Sequence, residues 1–151
     1  MSVAEQLHPA AVLIAPTARD KWQLIERLAE ALVAAGRLPK EKLAEAVQAL
    51  FEREQCVSTG LEHGIAIPHA ALPGLGRVAL ALALLPDGLE FDSQDGRPVQ
   101  VAVAILVPRE DKLLHLQTLA EVARRLGNSD FRERLLACRD GRTAVALWAE
   151  G

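Results

Sequence analysis

Two segments in the middle of the chain are apolar at almost every position, and they limit the possible folds more than any other feature. Residues 77–85 alternate leucine or valine with alanine, and residues 99–107 place valine or isoleucine at every second position. A strand that faces water on one side alternates apolar with polar residues, whereas a strand covered on both sides is apolar on both. The two segments therefore predict central β-strands with structure packed on both faces of the sheet, and the alanine side allows a helix to approach closely.

The rest of the chain is mainly helical in pattern. The first predicted helix has a start signal at Thr17 and Asp20 and a stop at Gly36. Apolar residues recur at helical spacing in four later segments, which cover residues 39–53, 111–126, 129–138 and 142–149.

Shorter pieces complete the predicted architecture. Residues 11–15 predict an edge strand and residues 65–67 a short buried strand. Asp87-Gly88 and Asp95-Gly96 predict turns between the two central strands. We expect one α/β domain over residues 1–151, with a central β-sheet flanked by helices on both faces.

Composition and charge exclude several classes of protein. Half of the 151 residues are apolar and a quarter are charged, which is typical of a globular domain. The net charge of −3 offers no basic surface for nucleic acid. The longest apolar run, residues 78–86, is too short to span a bilayer. The first residues show no basic stretch followed by an apolar run, so we expect no secretory signal. Cys56 and Cys138 fit reduced thiols, so we expect a cytoplasmic protein.

The polar segment 58–69 is the candidate functional site. It contains Ser58, Thr59 and Gly60, then the short apolar strand, then a histidine, His69, held by the stiff backbone of Pro68. Hydroxyl and backbone N–H groups of such a turn can bind phosphate oxygens. Neutral imidazole has a free lone pair and can act as a nucleophile, with its other nitrogen donating to a backbone carbonyl or to Gln117. The alternative is an ordinary loop histidine.

A second histidine, His115, supports the same candidate site. Leu119, Val122 and Leu126 follow His115 at offsets of four, seven and eleven residues, which places its imidazole on the apolar stripe of a helix. We therefore expect His115 to face the sheet, either as part of a site or as a core histidine bonded to one backbone carbonyl.

Charged residues flank the polar segment. Arg53 ends the second predicted helix, where its guanidinium can either bind a phosphoryl group or stabilise the helix C-terminus. Glu54 and Glu62 would repel a phosphoryl group if they pointed inward, so we expect both at the rim of the site.

Several of these segments together resemble one known family. Arg53-Glu54, Ser58-Thr59-Gly60 and Gly64-Ile-Ala-Ile-Pro-His69 are similar to the signature of the fructose/mannitol-type enzyme IIA family, which includes the nitrogen-regulatory enzyme IIA proteins. Gly96-Arg-Pro-Val99 and His115-Leu-Gln-Thr-Leu119 extend the similarity. The resemblance covers the chain from about Ala11 to the last helix.

The resemblance implies a mixed sheet and a role in phosphoryl transfer. It implies that His69 is the phosphorylated histidine, that His115 stabilises the phosphoryl group and that Arg53 is the active-site arginine. The Ser58-Thr59-Gly60 turn would shape the phosphate-binding pocket. The chain would then be a phosphotransferase component with no metal and no cofactor, and the sequence contains no nucleotide-binding loop for direct use of ATP.

The resemblance leaves the partners open. The phosphoryl donor would be HPr or a nitrogen-branch HPr-like carrier, and the role would be regulatory, through target proteins. The alternative is the enzyme IIA of a sugar transport system, which passes the group to a separate enzyme IIB, since no such domain is evident in this sequence. A more distant alternative is a zinc enzyme that uses His63, His69 and His115, with Cys56 as a further ligand.

Three positions depart from the family pattern. The chain has Ala70 where the family often has glycine, Leu61-Glu-His63 in place of the more usual Ile-Gly-Asn, and Gln117 where many nitrogen-regulatory members have histidine. These differences bear on the choice of partner and on the lifetime of the phosphohistidine.

Overall fold

In the computed structural model, which describes residues 2–150, five strands form one mixed sheet. The strands are β1 Leu7–Ile14, β2 Ile65–Ala66, β3 His69–Leu72, β4 Ala79–Leu89 and β5 Val99–Pro108. The helices are α1 Val3–Gln6, α2 Lys21–Ala34, α3 Leu43–Cys56, α4 Lys112–Leu126, α5 Ser129–Leu136 and α6 Gly141–Glu150. Strand β4 runs parallel to β1 and antiparallel to β5, and both β2 and β3 pair parallel with β5. The predicted α/β architecture is confirmed.

The two faces of the sheet form separate cores, as the apolar strands predict. On the alanine side of the sheet, α2 packs against β4 and β5 and α3 packs against β3, whereas the leucine and valine side packs against the C-terminal helices. Val99 is an exception to the predicted alternation, because it packs in the core on the alanine side. None of the helices in residues 2–150 is long and apolar enough to cross a membrane.

The helix boundaries differ slightly from the predicted ones. Helix α2 starts after Asp20, whose carboxylate accepts a hydrogen bond from the Gln23 N–H, and Thr17 takes no part in this cap. The second predicted helix opens with a 3₁₀ turn at Lys40–Lys42 and continues to Cys56, so Arg53 lies in the last turn of α3.

One predicted turn is wrong. Asp87-Gly88 lies inside β4, beside an irregularity in its pairing with β5 between Leu84 and Leu89, and Gly88 has a φ of +78°. The positive φ explains why the sequence resembles a turn, since glycine adopts this conformation at no steric cost.

Strands β2 and β3 are two parts of one interrupted edge strand. Ile65 pairs with Val101 and His69 pairs with Ile105, so the register is the same on both sides of Pro68. Proline has no N–H to donate, but the Pro68 carbonyl accepts from the Ile105 N–H at 2.9 Å. His69 therefore begins a second strand segment, whereas the sequence suggested that it ends the strand. It lies on the same face as Ile65, the face that packs against α4.

Candidate functional site

His69 is half-buried, and its ring is held by a hydrogen bond to the backbone two residues earlier. Its Nδ1 atom lies 2.8 Å from the carbonyl oxygen of Ile67. A carbonyl oxygen only accepts, so Nδ1 carries the proton and Nε2 keeps its lone pair. Of the two partners that the sequence allowed, the backbone carbonyl is the one observed, and Gln117 is exposed on α4.

The second histidine meets the first across the α4–sheet interface. The ring centroids of His69 and His115 lie 5.5 Å apart, and the rings meet at 77°. The prediction that His115 faces the sheet is confirmed, since Val122 and Leu126 on the same stripe are fully buried. The contact also places His115 directly beside the His69 ring.

Arg53 reaches the same region from the last turn of α3. Its Nη1 donates to the Val57 carbonyl at 2.8 Å, which holds the guanidinium beside the polar turn. An open cleft of about 270 Å³ is lined by residues of the predicted site and its surroundings: Arg53, Val57, Ser58, Thr59, Leu61, Ile67, His69, Gln94, Leu119 and Ala123. Gln94 was not identified from the sequence, because only the folded loop after β4 brings it to the cleft.

The electrostatics of the cleft keep His69 neutral. Burial lowers the pKa of His69 below the ordinary histidine value of 6.5, and electrostatic repulsion by Arg53 and by the His115 ring acts in the same direction. The hydrogen bond to the Ile67 carbonyl and the Glu54 carboxylate raise the pKa but do not outweigh these effects. At neutral pH the imidazole is therefore uncharged, and its Nε2 lone pair is available for nucleophilic attack.

The Ser58-Thr59-Gly60 turn uses its hydrogen-bonding groups within the protein. The Ser58 hydroxyl donates to the Phe91 carbonyl at 2.6 Å and accepts from the Gly60 N–H at 3.0 Å. Both the N–H and the hydroxyl of Thr59 donate to the Glu54 carboxylate. The turn forms one wall of the cleft, but these donors already have partners.

Glu54 is buried, and the expectation that it lies at the rim is wrong. It is only 3% exposed, and its carboxylate lies 3.1 Å from the Nζ of Lys21. The two donors of Thr59 and the lysine ammonium compensate the buried charge. The sequence did contain a signal that the partner of Glu54 points inward. Lys21 precedes the buried residues Leu24, Ile25 and Leu28 by three, four and seven positions, the spacing of one helix face. Glu62 is exposed, as expected.

Comparison with known proteins decides the family. The family model of the phosphoenolpyruvate-dependent sugar phosphotransferase system, EIIA 2, matches residues 5–150. The chain belongs to this family. Enzyme IIA components of this system are phosphotransferases that carry phosphoryl groups, so this chain is a phosphoryl carrier.

Individual relatives of this enzyme IIA have two kinds of role. A nitrogen regulatory protein of Bradyrhizobium diazoefficiens is 31% identical over 99% of this chain and 95% of its own length. A fructose-specific EIIA component of Haloferax volcanii is 36% identical over 83% of this chain and 80% of its own length. The crystal structure of the nitrogen regulatory protein IIA-Ntr from Neisseria meningitidis superposes with a TM-score of 0.86, covering 97% of this chain and 98% of that one at 27% identity.

The three departures from the family pattern have defined places in this enzyme IIA. His63 lies on an exposed 3₁₀ turn with a φ of +68°, and its N–H donates to Asp95 at 3.0 Å. The asparagine that is usual at this position in the family also tolerates positive φ. Ala70 is buried in β3 on the alanine side of the sheet, and Gln117 is exposed on α4.

The zinc site considered from the sequence has no ligand set. Among residues 2–150, no three His, Cys, Asp or Glu side chains come close enough together to hold a metal ion. His69 and His115 lie together, but His63 is exposed on its own turn beside Glu62, and Cys56 is exposed at the end of α3.

Proposed function

We propose that the Nε2 atom of His69 accepts the phosphoryl group. The observation that carries the proposal is the hydrogen bond between the His69 Nδ1 and the Ile67 carbonyl, at 2.8 Å. This bond leaves Nε2 as the unprotonated nitrogen. The lowered pKa of His69 supports the same assignment, because the neutral ring persists at neutral pH.

The reaction is an in-line transfer from a phosphohistidine on a carrier protein. The Nε2 lone pair forms the new N–P bond as the donor's P–N bond breaks, and that electron pair returns to the donor imidazole. The proton stays on Nδ1, so the His69 ring gains positive charge, and the Ile67 carbonyl stabilises it. Arg53 and His115 flank the transferred group and stabilise its negative charge. Phosphoryl transfer of this kind depends mainly on positioning and electrostatics.

The donor is HPr or a nitrogen-branch HPr-like carrier, and the role is regulatory, exerted in the cytoplasm through target proteins. Similarity to a nitrogen regulatory protein over nearly the whole chain supports this role. Exposed apolar side chains support docking of another protein, since Val57 at the cleft and Leu113 and Leu116 on the helix that carries His115 are each about two-thirds exposed. The second candidate, a sugar-transport enzyme IIA that passes the group to a separate enzyme IIB, is supported by the fructose-specific relative.

A phosphorylation experiment tests the acceptor. The protein is incubated with a phosphorylated carrier, and the adduct is characterised by mass spectrometry and by ³¹P and ¹⁵N NMR. We expect one acid-labile phosphoryl group on Nε2 of His69 and none on His69→Ala. Phosphorylation of His69→Ala to the wild-type extent, or an adduct on Nδ1, would contradict the proposal.

A second measurement separates the two roles. The phosphorylated protein is mixed with a purified fructose-type enzyme IIB, and transfer is followed by the loss of label from His69. We expect slow transfer compared with return of the group to the carrier. If transfer to the enzyme IIB is faster than return of the group to the carrier, the sugar-transport role is favoured.

A further inference from the structure

A buried ion pair lies behind the cleft, and neither of its two residues lines the cleft. The Nζ of Lys21 on α2 lies 3.1 Å from the Oε2 of Glu54 on α3, and these residues are 8% and 3% exposed. Taking two charges out of water is costly unless they are paired and hydrogen-bonded. Here the carboxylate also accepts from the Thr59 N–H at 3.0 Å and from the Thr59 hydroxyl. Glu54 is thereby fully engaged with the polar turn.

Two further hydrogen bonds connect this turn to His69. The Ile67 N–H donates to the Thr59 carbonyl at 3.1 Å, and the Ile67 carbonyl accepts from the His69 Nδ1 at 2.8 Å. The peptide of Thr59 therefore lies between the Glu54 carboxylate and the carbonyl that fixes the tautomer of His69. A displacement of the turn would move that carbonyl.

The same lysine also forms a second ion pair, with the segment that follows β4. The Nζ of Lys21 lies 3.1 Å from the carboxylate of Asp92, and the neighbouring Phe91 carbonyl accepts from the Ser58 hydroxyl. Val57, at the start of the turn, accepts the hydrogen bond of Arg53. One buried lysine thus pairs both with Glu54 and with the segment whose Phe91 carbonyl holds Ser58, next to the residue that accepts from Arg53.

We propose that Glu54, held by Lys21, is a positioning residue for phosphoryl transfer. It fixes the turn at Thr59, and through it the Nδ1–H tautomer of His69 and the place of Arg53. The kinetic part of this inference rests on the proposed function of His69, whereas the tautomer does not depend on it. Misplacement of a reacting group by about 1 Å can cost roughly 100-fold in rate.

The test uses Glu54→Gln and Thr59→Val, with Thr59→Ser as the conservative variant. Ring ¹⁵N NMR at a pH where His69 is neutral measures its tautomer, and transfer from a phosphorylated carrier gives kcat and KM. We expect a larger Nε2–H fraction in Glu54→Gln and Thr59→Val, together with a fall in kcat of about 10- to 100-fold and little change in KM. Thr59→Ser keeps the hydroxyl and should recover most of the lost rate.

Leu135→Ala, in a helix of the other core, serves as the control for a loss of stability alone. It should lower the stability but leave the tautomer and kcat unchanged. The proposal is overturned if Glu54→Gln and Thr59→Val keep the wild-type tautomer, or if Leu135→Ala changes tautomer and kcat as much as they do. If Glu54→Gln does not fold, Thr59→Val decides alone. If the wild type takes no phosphoryl group from the carrier, the proposed function fails, while the tautomer measurement still decides the positioning role.

Discussion

At the scale of single residues, the behaviour of the site depends on where one proton lies. The Ile67 carbonyl holds the proton on Nδ1 of His69, and burial with two neighbouring cationic or titratable groups keeps a second proton off the ring. The charge of Arg53 also contributes to the lowered pKa of His69.

Substitution of Arg53 should raise the pKa of His69. The guanidinium lowers that pKa, so Arg53→Gln removes a positive charge that opposes protonation. Because the wild-type pKa lies below 6.5, the proposed acceptor His69 loses its proton at a lower pH than an ordinary histidine, and in the variant the acid limb of the pH–rate profile should move to higher pH. NMR titration of the His69 ring protons measures the shift. Arg97→Gln removes an exposed charge elsewhere and should leave the titration unchanged; an unshifted or lower pKa in Arg53→Gln would contradict the expectation.

The left-handed backbone at His63 leads to a prediction about stability. With a φ of +68° and an exposed side chain, His63→Asn should be nearly neutral. His63→Val places a β-branched residue in the same conformation and should lower the free energy of unfolding by roughly 1–2 kcal/mol. Urea unfolding of the two variants measures the difference. Equal stabilities would show that the backbone can relax out of this conformation.

At the scale of elements, the two faces of the sheet differ in side-chain size, and this difference sets how close the helices lie. Ala79, Ala81 and Ala83 on β4 are fully buried on the side that α2 covers, while leucines cover the opposite face. The short side chains let α2 and α3 lie close to the sheet, and this closeness brings Lys21 and Glu54 within reach of each other.

Enlarging the alanine face should therefore destabilise the protein. Ala81→Leu adds three carbon atoms where no space is free, and we expect a loss of about 1–3 kcal/mol in the free energy of unfolding. β-Propensity alone predicts no such loss, since leucine suits a strand at least as well as alanine. Ala10→Leu, at an exposed position of β1, is the matched control and should be close to neutral. The midpoint of urea unfolding distinguishes the two outcomes.

At the scale of the whole molecule, the two ends of the described chain meet on one side of the sheet. Helix α6 packs against β1 and α1, and the Val3 N–H donates to Glu121 on α4 at 3.0 Å. At the start of α6, a Cβ on Gly141 would lie 2.2 Å from the Pro9 carbonyl oxygen. The C-terminal helices are thus docked through a backbone contact that only glycine allows.

Gly141→Ala should weaken the contact between these two ends and destabilise the protein. Alanine is intrinsically the better helix residue by roughly 0.5–1 kcal/mol. The clash with the Pro9 backbone outweighs this gain, and we expect a net loss of about 1–3 kcal/mol in the free energy of unfolding. Gly76→Ala, where no atom lies within 4 Å of the added Cβ, should be tolerated. Thermal unfolding of both variants tests the contrast, and a stabilised Gly141→Ala would show that α6 can shift without cost.

The sequence by itself determined the features that depend on local pattern. Apolar alternation identified the central strands and their two covered faces, and helical spacing directed His115 toward the sheet. The motif around His69, with its resemblance to a family, pointed to phosphoryl transfer. These features are predictable because side-chain direction follows directly from the period of a strand or helix.

The tertiary structure decided what depends on packing between distant elements. Lys21 and Glu54 are 33 residues apart, and only the packing of α2 against α3 brings them together and lets a carboxylate be buried beside the site. The same packing engages the donors of Thr59 within the protein and brings Gln94 to the cleft. Periodicity shows which face of a helix or strand carries a side chain, but it does not show which charged residue of the neighbouring element that side chain meets.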